Sequence, residues 1–480
     1  MLYYHYCTLL HVDPEIYMRT LRKLILFAVL IPALALMGYV PAVAAEPFRS
    51  LAAAAALLAD ADSGMVLYES NTDVKHPADA LSKIMTLLLT VSACESGAAD
   101  QDEIVEMTES AYYNIVAQST TQNIVPGEKM PLIDLMYCAY IGSANEACNL
   151  LAEYIAGSIP SFISNMNARA KELGCRNTNF VNANGQYSDR QYTTAADLYI
   201  IFREAMSHPI FVDINGTYRY EVSGTNISEA RRLLNTNELL NPNSKYYYKP
   251  CSAGKTSATF EGGYSLVAFA EANELTLISV VLGSDDLILE DESVDLRNFS
   301  ETQRLFDWGF SNFSRRTILL SSDPVGKAPV MHGAGADFVN LRPESSITLL
   351  LDNDISDKDF TRTVTIYPVE NDETLYAPVY AGDVLGEITL TLKGVDYGTV
   401  LLVANTDVEL NRLQFIRTQI SEMLATKTAR RIIWILVAVV IGYIALVVRY
   451  NVIRRKRLRR IAEAKKKLIA ERQSGDHDWE

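Results

Sequence analysis

The chain has 480 residues, of which 49% are hydrophobic and 21% are charged, and its formal net charge is −15 at pH 7. The charge is unevenly distributed, because residues 449–480 carry 11 Lys and Arg against 5 Asp and Glu, and residues 1–45 carry 3 against 2, which leaves −22 for the segment between them. Such an acidic segment disfavours binding to nucleic acid or to anionic lipid, so the sequence predicts no nucleic-acid partner.

The N-terminal segment 1–45 contains the pattern of a secretion signal at 19–45. A basic n-region, an apolar h-region and a small-residue cleavage site follow one another, formed by Arg19, Arg22 and Lys23, by residues 24–37 and by Val43-Ala44-Ala45. We expect the mature chain to begin near Glu46. Met18 opens a normal n-region, so it competes with Met1 as the first residue of the precursor.

Residues 46–313 alternate strand-like and helical patterns, which indicates a mixed α/β fold of the α+β type. Alternating apolar residues predict strands, and apolar residues at a spacing of three to four predict helices. The predicted elements are strands at 53–60 and 64–68, helices at 83–96, 144–157 and 163–173, a β-hairpin from 264–270 and 275–282, and a closing helix around 302–308.

Residues 314–407 have a different pattern, which predicts a small β-rich C-terminal domain. Its strand-like runs, separated by Asp, Asn and Gly turns, lie at 346–351, 363–367 and 386–392. Residues 408–430 then carry apolar side chains at helical spacing and predict an amphipathic helix. We expect this helix to lie on a membrane surface or to lead to an anchor, and a helix that packs on a partner is the alternative.

The segment 431–449 contains an apolar run at 432–448 that has the length of a short membrane-spanning helix. The segment that follows, 450–480, is rich in Lys and Arg, which marks the cytoplasmic side of a membrane. The sequence therefore predicts a C-terminal transmembrane helix with the large domain on the other side. A buried core helix is the alternative for the apolar run, but the basic block after it cannot pack against a core. Nucleic-acid binding by the basic tail is a further alternative, but a membrane anchor explains the same residues with fewer assumptions.

The six cysteines and six histidines form no ligand cluster in the sequence. We therefore expect no metal and no cofactor, and no Ser-His-Asp triad is legible. Free buried thiols are the simplest reading of the cysteines, and a disulfide between Cys138 and Cys148 is the alternative.

Three short motifs follow one another within 46–313. They are Ala80-x-x-Lys83, Ser143-Ala144-Asn145 and Lys255-Thr256-Ser257. Each motif alone would occur by chance, but the three in this order form a specific combination. Penicillin-recognising serine enzymes carry Ser-x-x-Lys, a second motif with Ser and Asn, and Lys-Thr-Gly. Ala80 therefore stands where that pattern has its nucleophilic serine.

The chain resembles the D-alanyl-D-alanine carboxypeptidases, which are low-molecular-weight penicillin-binding proteins and serine peptidases of cell-wall peptidoglycan. The resemblance implies a β-lactamase/transpeptidase-like domain, a small β-rich C-terminal domain and an anchor in the bacterial cell membrane, with the catalytic-type domain on the cell-wall side. A class A β-lactamase is less similar because it lacks the β-rich domain and the anchor. Stretches outside the motifs that also resemble the family lie at 67–71, 167–174, 177–185, 192–198 and 235–237.

The resemblance assigns roles to the first two motifs. In an active member, a serine at position 80 would begin a helix and attack the scissile carbonyl, and Lys83 on the same helix face would take its proton. Ser143 would relay a proton to the leaving D-alanine. Asn145 would orient Lys83 and the amide of the substrate.

The resemblance assigns substrate binding to the third motif. Lys255 would supply positive charge to the terminal carboxylate of the stem peptide, and Thr256 would supply a hydrogen bond. The strand that holds Lys255 would pair with the extended peptide. Backbone N–H groups near position 80 and near Ser257 would form the oxyanion hole.

The chain departs from the family pattern at several positions of the expected site. Ala80 removes the nucleophile, and Ala78-Asp79 replaces the usual Pro-Ala before it. Ser257 adds a side chain where the third motif usually has glycine, and Gln186 replaces a usual leucine. Several changes together indicate relaxed selection on catalysis.

Two other residues could replace the missing nucleophile. Ser82 lies two positions after Ala80 and so faces about 200° around the helix, and Met85 rather than lysine stands three residues after it. Asp79 could offer a carboxylate nucleophile. We expect neither residue to be catalytic.

The leading hypothesis is a catalytically impaired D-Ala-D-Ala carboxypeptidase homologue that binds stem peptides or partner proteins, and β-lactams without covalent attachment. One alternative is an active serine-type carboxypeptidase that trims the terminal D-Ala of peptidoglycan pentapeptides, or a chain in which Ala80 has replaced a native serine. The other alternative is a structural, membrane-anchored assembly protein.

Overall fold

The computed structural model describes residues 51–474 apart from 113–114, 117–118, 290–291 and 293. The predicted secretion signal lies outside the described residues. The described chain divides into two compact units, which are considered separately below. The first unit consists of the chain up to Ile318, Ile347–Thr361 and Thr391–Tyr397, and the second consists of Leu319–Ser346, Arg362–Leu390 and the chain from Gly398 onwards.

The helices of the described residues are numbered in chain order. They are α1 Lys83–Glu95, α2 Glu109–Tyr112, α3 Leu132–Tyr140, α4 Asn145–Ala156, α5 Ile159–Glu172, α6 Ala195–Ala205, α7 Pro209–Gly216, α8 Arg297–Asn312, α9 Tyr367–Glu370, α10 Arg412–Ala425 and α11 Lys427–Ser474. Short 3₁₀ turns occur at Asp79–Ser82, Glu238–Leu240 and Asp357–Asp359.

The strands are numbered in the same way. They are β1 Ala55–Asp60, β2 Val66–Ser70, β3 His76–Pro77, β4 Ile104–Glu106, β5 Lys129–Pro131, β6 Tyr192–Thr193, β7 Arg219–Val222, β8 Arg231–Leu234, β9 Cys251–Thr259, β10 Gly263–Ala272, β11 Leu275–Ser284, β12 Asp286–Ile288, β13 Val294–Leu296, β14 Phe313–Leu319, β15 Gly326–Pro329, β16 Phe338–Pro343, β17 Ile347–Asp352, β18 Thr361–Ile366, β19 Val384–Leu392 and β20 Val395–Ala404.

A five-stranded antiparallel sheet forms the centre of the first unit, in the order β2-β1-β11-β10-β9. The predicted hairpin is confirmed as β10 and β11, whose connection places Asn273 and Glu274 at positive φ. The third motif lies on β9, where Lys255 is opposite Val267 of β10. Because β9 is an edge strand, one side of this motif faces away from the sheet.

Helices cover both faces of this sheet. Successive side chains of a strand point to opposite faces of the sheet. All six residues of β1 are buried because both faces are covered. Ala55, Leu57 and Ala59 pack in a cluster with α1, α3, α4 and α6, whereas Ala56 and Leu58 pack in a cluster with α8. The motif-bearing helices thus lie on one face of the sheet.

The predicted helices of this unit are confirmed, with two differences at their ends. The helix expected at 163–173 begins earlier, at Ile159, because the Ser158 side chain accepts a hydrogen bond from the Ser161 N–H and caps it. The closing helix is longer than predicted and spans α8. Apolar side chains such as Phe306 and Phe310 anchor its whole length.

Part of the range 314–407, which the sequence assigns to the β-rich domain, belongs to the first unit. Strands β14 and β17 form a two-stranded sheet, and the segment that contains β17 clusters with the first unit. The second unit is built on a five-stranded sheet in the order β15-β16-β20-β19-β18. Buried apolar residues of this sheet include Leu341, Ile388, Leu390 and Leu402.

Two helices end the described chain. The Asn411 side chain caps α10 by accepting a hydrogen bond from the Gln414 N–H, and α10 lies within the predicted amphipathic segment 408–430. The segment Lys427–Ile469 of α11 is long and apolar enough to cross a membrane by length and composition. No break in the helix marks the predicted borders of 431–449, and the basic segment continues the same helix as far as Ser474.

Candidate functional site

A tight turn places Ala80 at the entrance to α1. The chain passes from β3 into the 3₁₀ turn Asp79–Ser82 and directly into α1. The apolar run of α1 is buried, which fixes the helix against the sheet. Ala80 is only partly buried, so its methyl group lies at the surface of the site while the turn beneath it is held in the core.

The structure brings the first two motifs together through Lys83. Its buried Nζ donates hydrogen bonds to the Ser143 carbonyl oxygen at 2.6 Å, to Ser143 Oγ at 2.9 Å and to Asn145 Oδ1 at 2.8 Å. Ser143 adopts a positive φ of 52° two residues before α4 begins, and both of its oxygens accept hydrogen bonds from Lys83. The contacts expected between these motifs are therefore present.

Lys255 reaches the same hydroxyl from β9. Its Nζ lies 3.4 Å from Ser143 Oγ and 5.3 Å from the centroid of the Tyr140 ring. Burial, and then the charge of Lys83, lower the pKa of Lys255 to about 7. Burial also lowers the pKa of Lys83. Two lysines with weakened proton affinity thus flank one hydroxyl.

Thr256 faces the other way from Lys255. It is partly buried, and its Oγ1 lies 2.5 Å from Thr236 Oγ1. Thr236 and the Tyr140 ring are contacts of the site that motif reasoning did not assign. Thr236 belongs to a stretch that resembles the family, and this resemblance could have indicated its place in the site. The position of Tyr140 below Lys255 is visible only in the tertiary structure.

Ser257 and Thr259 join β9 to the turn that carries Ala80. The Ala80 N–H donates to Ser257 Oγ at 3.3 Å, and Thr259 Oγ1 donates to Asp79 Oδ2 at 2.6 Å. Burial raises the pKa of the Asp79 carboxyl, and the Thr259 hydrogen bond opposes that shift. The strand and the turn are therefore held together by two side-chain contacts.

Of the two alternative nucleophiles, Ser82 is engaged elsewhere, whereas Asp79 uses only Oδ2 and its buried Oδ1 has no hydrogen-bond partner among the described residues. Ser82 is buried, and its Oγ donates to the Asp79 carbonyl at 2.8 Å. A lysine ammonium has three protons, and the hydrogen bonds of Lys83 go to Ser143 and Asn145. This arrangement disfavours activation of Ser82 or Asp79 by Lys83.

A loop around Gly185 presses on the same turn. A side-chain carbon at Gly185 would lie 2.5 Å from the Asp79 carbonyl oxygen and 2.9 Å from Ala80 Cα, and its φ is +77°. Gly174 also has a positive φ, of +92°, but nothing lies within 4 Å of an added carbon there. An added side chain at Gly174 would therefore meet backbone strain alone, whereas one at Gly185 would meet backbone strain and a steric collision.

Gly185→Ala is expected to destabilise the protein by about 2–4 kcal/mol, because it adds a collision to an unfavourable backbone conformation. Gly174→Ala should cost about 1 kcal/mol from the backbone term alone. Thermal unfolding of the detergent-solubilised chain measures both. Equal shifts of the midpoint for the two variants would contradict a close contact between Gly185 and the turn.

One cysteine, Cys148, is close enough to Lys83 and Lys255 to interact with them electrostatically. Cys94, Cys138, Cys148, Cys175 and Cys251 are free thiols in the structure. The disulfide considered between Cys138 and Cys148 is absent, and Cys148 Sγ instead contacts the Ala139 carbonyl oxygen. Within the described ranges, no group of three His, Cys, Asp or Glu side chains is placed to hold a metal ion.

The three motifs thus meet around Ser143 Oγ, and Ala80 lies beside them at the entrance to α1. Comparison with family models matches residues 41–286 to D-alanyl-D-alanine carboxypeptidase and residues 313–410 to the C-terminal domain of penicillin-binding protein 5. The chain belongs to the D-alanyl-D-alanine carboxypeptidase family, whose members are membrane-associated proteins of cell-wall metabolism.

Similar proteins support this assignment along most of the chain. D-alanyl-D-alanine carboxypeptidase DacC of Escherichia coli is 30% identical over 75% of this chain and 85% of its own length. DacF of Bacillus subtilis is 28% identical over 71% of this chain and 82% of its own length. Penicillin-binding protein 5 of Haemophilus influenzae, a solved structure, is 25% identical with a TM-score of 0.57 and covers 76% of this chain and all of its own. The predicted penicillin-binding protein fold with a β-rich C-terminal domain is confirmed.

Proposed function

We propose that this protein binds the D-Ala-D-Ala ends of peptidoglycan stem peptides without cleaving them. One observation carries the proposal: Lys83, Ser143, Asn145 and Lys255 keep a connected hydrogen-bond array beside a position 80 that ends in a methyl group. A methyl group cannot attack a carbonyl carbon. Loss of the nucleophilic serine costs a serine peptidase on the order of 10⁶ in rate.

The charges of the site favour an anionic ligand. Within the described residues, the hydrogen-bond acceptors of Lys83 and Lys255 are neutral oxygens of Ser143 and Asn145. Burial, and then the charge of Lys83, lower the pKa of Lys255. A peptide carboxylate would bring a negative charge to Lys255 and form a charge-assisted hydrogen bond with it.

Edge strand β9 offers the second element of recognition. An extended peptide adds to an exposed sheet edge through main-chain hydrogen bonds, while side chains of the edge strand provide specificity. Lys255 and Thr256 lie on this edge. A β-lactam presents the same carboxylate and carbonyl as the peptide terminus, so we expect it to compete for the site without covalent attachment.

The proposed location is the cell-wall side of a bacterial membrane. The apolar part of α11 is followed by a run of basic residues, which favours a cytoplasmic C-terminus. The large acidic domain then lies outside, where the stem peptides are. These residues support a single-pass topology in which α10 lies close to the cell-wall side of that membrane. The basic run consists of Arg454, Arg455, Lys456, Arg457, Arg459 and Arg460.

The test uses the detergent-solubilised full chain and a synthetic pentapeptide that ends in D-Ala-D-Ala. We expect saturable binding by calorimetry and no release of D-alanine by chromatography. A matched peptide with an amidated C-terminus should bind much more weakly, because it lacks the carboxylate. Release of D-alanine by the unaltered chain would establish an active carboxypeptidase instead. Absence of binding to both peptides would favour the structural, membrane-anchored role.

A further inference from the structure

The backbone N–H of Ala80 already has a hydrogen-bond partner inside the site. In a serine acyl-transfer enzyme this N–H must be free to stabilise the oxyanion of the tetrahedral intermediate. Here it donates to Ser257 Oγ at 3.3 Å. Ser257 is 5% exposed, so water does not compete freely for this contact.

We propose that the Ser257 hydroxyl occupies the oxyanion hole and forms a second block to acyl transfer, independent of the missing nucleophile. The proposal rests on the proposed function, because it concerns the same peptide-binding groove. It deepens that function by explaining how the groove binds a ground-state peptide carbonyl and rejects an oxyanion. Ser257 then opposes acyl transfer in addition to the absence of a nucleophile at position 80.

The alternation of side chains along β9 explains how Ser257 reaches the turn. Residues i, i+2 and i+4 of a strand lie on one face. Lys255, Ser257 and Thr259 share such a face, and each contacts the site: Lys255 approaches Ser143, Ser257 approaches Ala80, and Thr259 approaches Asp79. A glycine at position 257 would leave the middle of this face open for an incoming oxygen.

The hydroxyl and an oxyanion compete for one donor. A catalytic oxyanion needs to lie about 2.7–3.1 Å from the N–H nitrogen, along the direction that Ser257 Oγ occupies. Two oxygens cannot take this position together. The Ser257 hydroxyl oxygen accepts the hydrogen bond from the Ala80 N–H and still has its own proton to donate. It can therefore bind a neutral carbonyl oxygen of the peptide while it continues to occupy the oxyanion position.

A purely structural role for this contact makes a different prediction. Asp79 and Thr259 already tie the turn to β9 at 2.6 Å, so loss of the Ser257 hydroxyl should leave the turn in place. If the contact only holds the turn, removing the hydroxyl would loosen the site and slow any acylation. If the hydroxyl fills the oxyanion hole, removing it must accelerate acylation.

Fluorescent penicillin tests this on the detergent-solubilised full chain. In Ala80→Ser, the introduced hydroxyl oxygen forms an ester with the lactam carbonyl carbon, the lactam C–N bond breaks, and the hydroxyl proton passes by way of Lys83 and Ser143 to the lactam nitrogen. We expect Ala80→Ser alone to label slowly. Adding Ser257→Gly should raise the labelling rate on the order of 100-fold, because one oxyanion donor is worth about 10²–10³ in rate. Ser257→Gly without Ala80→Ser should not label.

Ser257→Ala in the Ala80→Ser background is the matched second variant, because it keeps the strand carbon and removes only the oxygen. It should also label faster than Ala80→Ser, and thermal unfolding verifies that each variant is folded. Equal or slower labelling of both double variants would overturn the block by Ser257, and so would folded variants that bind the pentapeptide but never label. The proposed function would be contradicted by different results, namely release of D-alanine by the unaltered chain or absence of peptide binding to it.

Discussion

Lys255→Met is expected to weaken binding of the D-Ala-D-Ala pentapeptide by about 30-fold to several thousand-fold. Removal of one partner from a buried, hydrogen-bonded charge pair costs about 2–5 kcal/mol of binding free energy, and the peptide carboxylate would lose its ammonium partner. Methionine preserves most of the side-chain volume, so the packing over Tyr140 should survive. Calorimetry on the detergent-solubilised chain measures the change.

Lys249→Met is the matched control for this substitution. Lys249 precedes β9 by two residues and is exposed, so it changes the net charge equally without touching the site. We expect less than a threefold change in affinity, because interactions of exposed charges are screened. Equal losses for the two variants would mean that the peptide responds to the overall charge of the domain rather than to Lys255.

Peptide binding is expected to weaken about tenfold between pH 6 and pH 8. The pKa of Lys255 is lowered to about 7 by burial and by Lys83, so the ammonium form dominates at pH 6 and the neutral amine at pH 8. A carboxylate binds the ammonium form, and the peptide carboxylate is ionised throughout this range. Affinity therefore falls as pH rises through 7, and binding is coupled to proton uptake by the protein.

The measurement is calorimetry at pH 6, 7 and 8 in buffers of different ionisation enthalpy, which also counts the protons taken up. Lys255→Met should bind weakly with little dependence on pH. A flat profile for the unaltered chain would mean that Lys255 stays charged without ligand. An affinity that rises with pH would contradict a carboxylate site at this lysine.

Local patterns predicted most of the elements that build the site. The apolar run after Lys83 predicted α1, and the two strand-like runs on either side of an Ala-Asn-Glu turn region predicted the hairpin of β10 and β11. The three motifs also predicted which residues meet, since Lys83, Ser143 and Lys255 converge as the resemblance implied. Their individual roles stay predictions.

Contacts that depend on tertiary packing could not be predicted from the sequence. Nothing in the local pattern places Tyr140 below Lys255, or the Gly185 loop against Ala80. Ser257 illustrates the limit best, because the sequence showed an added side chain but not that its oxygen faces the Ala80 N–H. The register of β9 against the 3₁₀ turn decides that contact, and short-range periodicity carries no information on it.

The hydrogen bond between Ala80 and Ser257 also bears on the history of the chain. Restoring a serine at position 80 would yield little peptidase activity while the oxyanion hole stays filled, and a glycine at position 257 would yield none without a nucleophile. Neither single step gives selection an advantage to act on. The proposed block by Ser257 thus implies an evolutionary ratchet: with both residues changed, one codon change at position 80 would not be enough to restore efficient catalysis.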